Sequence, residues 1–305
     1  MSASRIVGIG ACVMDTLIHL PSYPREDTKM RATSSKAAGG GPTATGIVAA
    51  AKLGVPSGFI GVLSDDGGGK FLMEDFKKYG VDTEHITVES GYRSFTSVIW
   101  LAADSTSRTC VFDKGDLPPL ELRDKQAQAV RDADILMIDG NEMDGAEEAA
   151  RIARENGTRV LYDCGGLYAG VERLLCLTDI MIPSEEFALA HTGVSDVREA
   201  AKKLMDTYHP EVVVVTRGKL GGLYFDGDSY WDYPAFPVEA IDSNGAGDVF
   251  HGAFAAAVAR GFSYRSACIF ASATSAIKCT GMGARESVPD FDTVMNLVKE
   301  KGYEL

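Results

Sequence analysis

The residues whose types and spacing suggest chemistry lie in one short stretch, IDSNGAGDVFHGAF at residues 241–254. The tripeptide at residues 245–247 lets the backbone turn tightly and leaves its amides uncovered, because glycine and alanine carry almost no side chain. The Ala-rich run at residues 249–260 is apolar on nearly all sides and predicts a buried helix. A helix that starts in such a turn directs free N–H groups and the positive end of its dipole toward one point, so the stretch predicts an anion site with Asp248 beside it.

An anion site with an adjacent carboxylate suits phosphoryl transfer. Backbone amides stabilise charge on the transferred phosphoryl group, and a carboxylate accepts the proton of the attacking hydroxyl. If Asp248 only complemented the helix dipole, it would contribute under about 1 kcal/mol, and the bare helix start would have no explanation. We therefore predict that Asp248 is the catalytic base and that Gly245, Ala246 and Gly247, with the amide of Asp248, form the anion hole.

Composition and charge narrow the class of protein. The chain has 305 residues, of which 45% are hydrophobic and 24% charged, as expected for a soluble globular protein with one large α/β domain. A net charge of −13 argues against DNA, RNA and anionic membranes as partners, and no apolar run is long enough to span a membrane. The six scattered cysteines indicate reduced thiols. Because the N-terminus leads into a strand with no signal-peptide pattern, we expect a cytoplasmic protein.

The elements that must position the site alternate from residue 122 onward. Strands are predicted at residues 134–138, 159–162, 179–182 and 211–218, with helices between them, which means βαβ units and a mainly parallel sheet covered on both faces. Ligands bind beyond the carboxyl ends of such strands. Asn141 follows one of these ends and Asp163 another, so we consider Asn141 a sugar contact and Asp163 a neighbour of phosphate and metal, each weighed against ordinary turn chemistry.

Two segments interrupt this alternation. Residues 16–38 lack helical periodicity and contain two prolines, whereas residues 92–113 are rich in β-branched and aromatic residues and indicate a hairpin with a turn at residues 104–106. We predict that these segments form a small β-sheet lid inserted in a single domain that spans residues 1–305.

The segment Asp242-Ser-Asn-Gly-Ala-Gly-Asp248 resembles the D-T-x-G-A-G-D signature of the ribokinase or PfkB-type carbohydrate kinase family. The resemblance covers nearly the whole chain, and residues 39–42 and 278–280 are most similar to the branch that contains ketohexokinase and sulfofructose kinase. It implies a ribokinase-like three-layer α/β/α sandwich around a mainly parallel sheet, with a small β-sheet lid. It also implies ATP-dependent phosphorylation of a primary hydroxyl of a monosaccharide, a ketose or pentose such as fructose or ribose.

The resemblance also implies roles for individual residues. Sugar contacts would be made by Asp15, Gly40, Gly41, Thr45 (where the family has Asn) and Asn141. Nucleotide contacts would be made by Thr216, Gly218, Gly221 and Ser272, the last near a position where the family has Asn.

We also expect two bound cations, Mg²⁺ and a monovalent cation. Mg²⁺ would be held mainly by ATP oxygens and water, because the family's Asn-x-x-Glu pattern is replaced by Ser184 and Phe187 at its two ends. The loop at residues 281–287 corresponds to the place where relatives bind potassium, which implies Asp242, Gly283 and Ser287 around a monovalent cation. Relatives also pair two lids, and the apolar residues of the predicted lid strands imply the same homodimer here.

Three other functions stay open at this stage. A nucleoside kinase would share the scaffold and differ in the lid. A kinase of a phosphorylated or sulfonated sugar needs cations at the distal end of the substrate, and the lid region offers Arg25, Lys29, Arg31, Lys36, Arg93 and Arg108. A non-catalytic sugar or nucleotide sensor belongs to a different class, and sugar-stimulated ATP turnover would exclude it.

Overall fold

The computed structural model describes residues 5–105 and 107–305. Residues 1–4 of the predicted N-terminus and Thr106 of the predicted lid turn lie outside the described residues. The strands are, in chain order, β1 (Ile6–Ile9), β2 (Val13–Leu20), β3 (Ser34–Gly40), β4 (Ser57–Phe59), β5 (Gly61–Ser64), β6 (Ile86–Glu89), β7 (Thr96–Ala102), β8 (Ser107–Asp113), β9 (Ile135–Ile138), β10 (Arg159–Cys164), β11 (Ile180–Pro183), β12 (Val212–Thr216), β13 (Gly222–Phe225) and β14 (Tyr230–Tyr233).

The helices are α1 (Pro42–Lys52), α2 (Gly67–Lys78), α3 (Asp124–Asp132), α4 (Met143–Asn156), α5 (Glu172–Leu175), α6 (Glu185–Thr192), α7 (Val197–Tyr208), α8 (Ala246–Ala259), α9 (Tyr264–Cys279) and α10 (Phe291–Glu300), with a 3₁₀ turn at Gly218–Leu220. No helix among the described residues combines the length and the apolar character that crossing a membrane requires.

The main sheet has the strand order β14-β13-β12-β11-β10-β9-β1-β4. Its strands from β12 to β4 run parallel, and β13 and β14 add an antiparallel edge. Because side chains alternate along a strand, Val212 and Val214 enter one core, whereas Val213 and Val215 enter the other. The first core is closed by α1, α8, α9 and α10, and the second by α3, α4, α6 and α7, which gives three layers.

The second sheet has the order β3-β2-β7-β8, in which β2 and β7 are parallel and the outer pairs are antiparallel. Its strands come from the two segments predicted as the lid, although β2 already begins at Val13 and β3 continues to Gly40. We call this four-stranded sheet the lid sheet. A separate parallel pair, β5 and β6, completes the strands.

Two predicted helix starts were too late, and both matter for the site. The Gly-rich sequence at residues 39–46 predicts a loop that leads into a helix at residues 47–53. However, α1 begins at Pro42, whose fixed φ suits the first turn of a helix after Gly41 at φ 95°. The helix predicted from residue 249 begins at Ala246, so Asp248 lies inside the first turn of α8. Every residue of α8 from Val249 to Ala259 is buried, as its composition predicts.

Candidate active site

The turn before α8 leaves backbone amides open. Gly245 caps the helix at φ 75°, a left-handed conformation that favours glycine. The amide of Ala246 donates to the carbonyl oxygen of Ser243 over 3.2 Å. Within residues 5–105 and 107–305, the amides of Gly247 and Asp248 have no hydrogen-bond acceptor. The amide of Gly245 is open in the same way, so these N–H groups and the helix dipole leave an anion site at the start of α8. The amide of Ala246, which the predicted anion hole included, already has an acceptor.

Side chains from other elements hold this turn from behind. The hydroxyl of Ser275 on α9 donates to the carbonyl oxygen of Ala246 over 2.6 Å. The carboxylate of Asp242 accepts from the amide of Asn244 over 2.8 Å. The turn is therefore fixed before any ligand arrives, which is what electrostatic stabilisation of a transition state needs.

Asp248 is half-buried beside the open amides. Burial raises the pKa of its carboxyl group above the ordinary aspartate value, and the positive charges of His251 and Arg108 oppose this rise. A carboxylate with a raised pKa holds a proton more strongly, so it is a better base toward a hydroxyl than an exposed aspartate.

His251 lies one turn after Asp248, and sequence reasoning did not single it out. Its Nε2 is 3.0 Å from the carbonyl oxygen of Ile182, and its Nδ1 is 2.7 Å from that of Gly247. Carbonyl oxygens only accept hydrogen bonds, so this geometry requires a hydrogen on both nitrogens. The carboxyl group of Asp163 lies 3.2 Å from Nδ1; burial raises its pKa to about 7, and the charge of His251 opposes this rise. Asp163, weighed above as a phosphate or metal neighbour, thus binds the imidazole ring.

Asp15, a predicted sugar contact, lies in β2. It is 8% exposed, and the hydroxyl of Ser97 donates to its Oδ1 over 2.5 Å. Burial raises the pKa of Asp15, and the negative charge of Asp248 adds to the rise. The carboxylate of Asp248 is therefore close enough to Asp15 to act on it electrostatically. A Cβ atom at residue 40 would collide with Oδ2 of Asp15, so Gly40 is required for this approach.

Asp139 organises the backbone around the sugar side. Its carboxylate accepts from the amides of Ala11 at 2.9 Å, Thr43 at 3.0 Å and Asn141 at 2.9 Å. It also accepts from the side-chain amide of Asn141 over 3.0 Å. Asp139 thus ties the ends of β1 and β9 to the start of α1, and the predicted sugar residue Asn141 is held by it.

Thr45 does not face the cleft. Its side chain is fully buried, and Nε of Arg285 donates to its hydroxyl over 3.4 Å. Nη2 of the same arginine donates to the carbonyl oxygen of Gly40 over 2.7 Å, and Nη1 is 2.7 Å from Asp75 Oδ2. Because α1 begins at Pro42, residue 45 turns toward the protein interior. Thr45 therefore contacts Arg285, which supports the backbone of Gly40 from behind.

The predicted nucleotide residues lie around the end of β12. Gly218 and Gly221 adopt φ 54° and φ 80°, and Thr216 ends the strand. Arg217, between Thr216 and Gly218, forms a 2.9 Å ion pair with Glu185, the first residue of α6. The hydroxyl of Ser272 on α9 donates to the carbonyl oxygen of Pro234 over 2.7 Å, and the backbone of Pro234 lies beside Gly221.

The three residues predicted around a monovalent cation do come together. The amide of Gly283 donates to Asp242 Oδ2 over 2.9 Å, and the hydroxyl of Ser287 donates to the carbonyl oxygen of Gly283 over 2.5 Å. The carbonyl oxygen of Asp242 accepts from Nζ of Lys278 over 2.7 Å. Asp242 Oδ2 and the carbonyl oxygens of Asp242 and Gly283 therefore each accept a hydrogen bond from the protein.

Comparison with known proteins identifies the family. The chain matches the model of the pfkB family of carbohydrate kinases over residues 3–290. A ribokinase of Haemophilus influenzae is 31% identical over 289 residues, which cover 92% of this chain and 94% of that protein. An ATP-dependent ribose-1-phosphate kinase of Halopiger xanaduensis is 28% identical over 97% of this chain and 99% of its own length. The structure of an Arabidopsis thaliana ribokinase complexed with ribose and ATP matches with a TM-score of 0.88, at 26% identity over 97% of this chain and 99% of that one.

This chain belongs to the pfkB family of carbohydrate kinases. The predicted family, the predicted α/β fold with a large, mostly parallel sheet and a smaller sheet, and the predicted carbohydrate kinase activity are confirmed. The relatives act on more than one sugar, so the family alone leaves the substrate open.

Proposed function

We propose that this kinase transfers the γ-phosphoryl group of ATP to a primary hydroxyl of a monosaccharide, with Asp248 as the base. One observation carries the proposal: Asp248 lies beside the open amides of Gly247 and its own residue, and its carboxylate acts electrostatically on Asp15 across the cleft. A sugar bound to Asp15 would present a hydroxyl between that carboxylate and the anion hole.

The chemistry follows from this placement. The sugar hydroxyl attacks the γ-phosphorus, the bond from that phosphorus to the bridging oxygen of ADP breaks, and the hydroxyl proton passes to Asp248. The proton moves late because phosphoryl transfer has a loose transition state with little nucleophile bonding. The amides of Gly247 and Asp248 stabilise the charge on the phosphoryl oxygens. The carboxylate of Asp15 accepts hydrogen bonds from sugar hydroxyls and fixes the orientation of the acceptor.

ATP would lie along the end of β12, with Thr216, Gly218 and Gly221 against it and Ser272 on the neighbouring helix. Among the described residues, no group of three or more His, Cys, Asp or Glu side chains is arranged to hold a metal ion. Mg²⁺ can bind without such a group of side chains, because it keeps several of its water ligands and binds to substrate phosphates. Glu186, exposed in the first turn of α6, would reach the ion through water. When bound, the ion neutralises charge on the phosphate oxygens.

A neutral pentose or ketose is the first candidate substrate, in keeping with the ribokinases among the relatives. A phosphorylated sugar is the second candidate, and one contact favours it. Nη1 of Arg108 on the lid sheet is 2.5 Å from Oδ1 of Asn244 in the turn before α8, so a cation borders the cleft. A guanidinium at that place suits an anionic substrate group.

The test is ADP release measured with a panel of free pentoses and ketoses, their phosphates and nucleosides, each with Mg²⁺ and ATP. We expect a monosaccharide to stimulate ADP release and to yield one phosphorylated product. Arg108→Met separates the two candidates, because it should weaken binding of a sugar phosphate far more than binding of a neutral sugar. ATP binding without ADP release for any acceptor would overturn the proposal in favour of a sensor.

A further inference from the structure

Lys278 is a fully buried lysine in the last turn of α9. Its Nζ donates to the carbonyl oxygen of Asp242 over 2.7 Å and lies 4.0 Å from Oδ2 of the same residue. An ammonium group is costly to bury unless its partners compensate for lost hydration. Burial accordingly lowers the pKa of Lys278, and the negative charge of Asp242 opposes that change.

The neighbourhood of Lys278 does not fit the monovalent metal ion implied by the sequence. A metal ion needs several oxygen atoms with free lone pairs directed at one point. Here Asp242 Oδ2 accepts from the amide of Gly283, and the Gly283 carbonyl oxygen accepts from Ser287. The Asp242 carbonyl oxygen accepts from the lysine itself. A second cation would also meet the charge of the resident ammonium group.

The next carbonyl groups of the same loop are also engaged by an ammonium group. Nζ of Lys52, from α1, donates to the carbonyl oxygens of Arg285 and Glu286 over 3.0 and 2.8 Å. Lys52 therefore donates to the loop directly, whereas Lys278 is linked to the loop through Asp242, which accepts from Gly283. Of these two, Lys278 is the one whose acceptor, Asp242, leads into the anion-hole turn.

The loop is in direct contact with that turn. A Cβ atom at residue 245 would lie 2.6 Å from the Cβ of Ala284, so Gly245 and the loop pack with no space between them. Lys278 and Asp248 also interact electrostatically. A charge that fixes the loop and Asp242 thus fixes the open amides as well, and it adds positive potential where phosphoryl charge develops.

We propose that the ammonium group of Lys278 takes the place of a monovalent metal ion in this kinase, so that its anion hole is formed without potassium. Lys278 is a positioning residue: it touches Asp242 and acts on the transferred phosphoryl group through the turn before α8. Its effect on turnover rests on the proposed function, whereas its effect on cation binding can be measured on the protein without a sugar.

The first experiment uses the unmodified protein. ADP release with the acceptor found above is measured in potassium chloride and in tetramethylammonium chloride at equal ionic strength. We expect rates that agree within about twofold, since only general salt screening changes. A several-fold increase in rate with potassium would overturn the proposal.

The second experiment removes the ammonium group. Lys278→Met keeps most of the aliphatic length, and we expect its kcat to fall by about tenfold or more in either salt because the turn loses its support. Lys278→Ala opens space beside Asp242, and potassium or ammonium ions should restore part of its kcat. Lys299→Met, which changes an exposed lysine of α10, is the matched control and should match the parent.

A melting experiment keeps the proposal testable if no sugar is turned over. A ligand that binds only the folded state raises the melting temperature as its concentration rises. With tetramethylammonium as the ionic-strength control, potassium should raise the melting temperature of Lys278→Ala and leave the parent unchanged. A potassium-dependent rise in the parent, or a Lys278→Met variant with the parent's kcat, would contradict the assigned role of Lys278.

Discussion

The helix that carries Asp248 and the outer part of the lid sheet are built in opposite ways. In α8, every residue from Val249 to Ala259 is buried, and the turn before it is held by side chains from α8 itself and α9. In the lid sheet, every residue of β8 is exposed. Its contact with the catalytic turn is the exposed hydrogen bond from Arg108 to Asn244.

We interpret this difference as a division of roles, with phosphoryl transfer at the start of α8 and substrate selection at the lid sheet. The groups that would stabilise the transferred phosphoryl group are fixed by partly buried hydrogen bonds, so they need no rearrangement during the reaction. The outer strand β8 of the lid sheet has no buried residue, and regions with few buried contacts open at low free-energy cost. We therefore expect the lid to close over the sugar and exclude water, while α8 stays in place.

The sharpest test of the fixed region is Asp248→Asn. The amide has nearly the shape of the carboxylate, so the fold should persist, but the base is lost. We expect kcat to fall by about 10²–10⁴-fold with little change in ATP binding, measured by ADP release and by nucleotide titration. Asp292→Asn, at an exposed position of α10, is the matched control. A variant within about tenfold of the parent would remove Asp248 from the role of base.

The next largest effect should come from His251→Asn. Asparagine cannot supply two opposed donors and a positive charge, so the carbonyl of Gly247 loses its support and Asp163 its partner. We expect kcat to fall by about tenfold to about 100-fold with an unchanged sugar KM.

The pH profile shows whether His251 acts on Asp248 or only on packing. The charge of His251 opposes the rise in the pKa of Asp248, so its removal should move the ascending limb of kcat to higher pH. A purely structural defect would lower the amount of active protein without moving that limb. His191→Asn, whose ring contacts Tyr208 away from the cleft, should leave both kcat and the profile unchanged.

Local sequence signals predicted the structural elements whose formation depends on residues that are neighbours in the chain. Small residues before an apolar, Ala-rich run are enough to predict the turn and the buried helix of α8, since turn formation and helix burial are local properties. The alternating segments predicted the main sheet for the same reason. The start of α1 was missed because Pro42 was treated as part of a loop, although proline suits the first helical turn.

The features of the candidate site that the sequence did not predict depend on contacts between residues far apart in the chain. Thr45 matches a ligand-binding position by its place in the sequence, yet its burial is decided by Arg285, which lies 240 residues away. Asp139 looks like an ordinary turn residue until its carboxylate is seen to accept from Ala11 and Thr43. His251 has no local signal, because its partners Asp163 and Ile182 come from other strands.

The exposed apolar face of the lid sheet allows a test of whether two chains form a dimer. Val98 and Val111 are paired across β7 and β8, and they are 37% and 62% exposed. We predict that two lids meet through this face, since exposed apolar sheet marks an interface. Light scattering over a dilution series should give twice the 32.5 kDa of one chain, and Val111→Lys should reduce it to one chain. Val88→Lys, on β6 outside the lid, is the control. A parent that stays monomeric at high concentration would contradict the predicted dimer.

The smallest expected effect is a change in the pH dependence of kcat when the positive charge of Arg108 is removed from the lid sheet. Arg108 opposes the raised pKa of Asp248, but less strongly than His251 does. Arg108→Met should therefore move the ascending limb of kcat to higher pH by less than His251→Asn does, because the carboxylate loses a weaker stabilising charge. Arg25→Met, another exposed arginine of the lid region, should leave the limb in place. If Arg108→Met leaves it in place too, then the guanidinium does not act on Asp248 during turnover, and the lid contributes shape and water exclusion instead of charge.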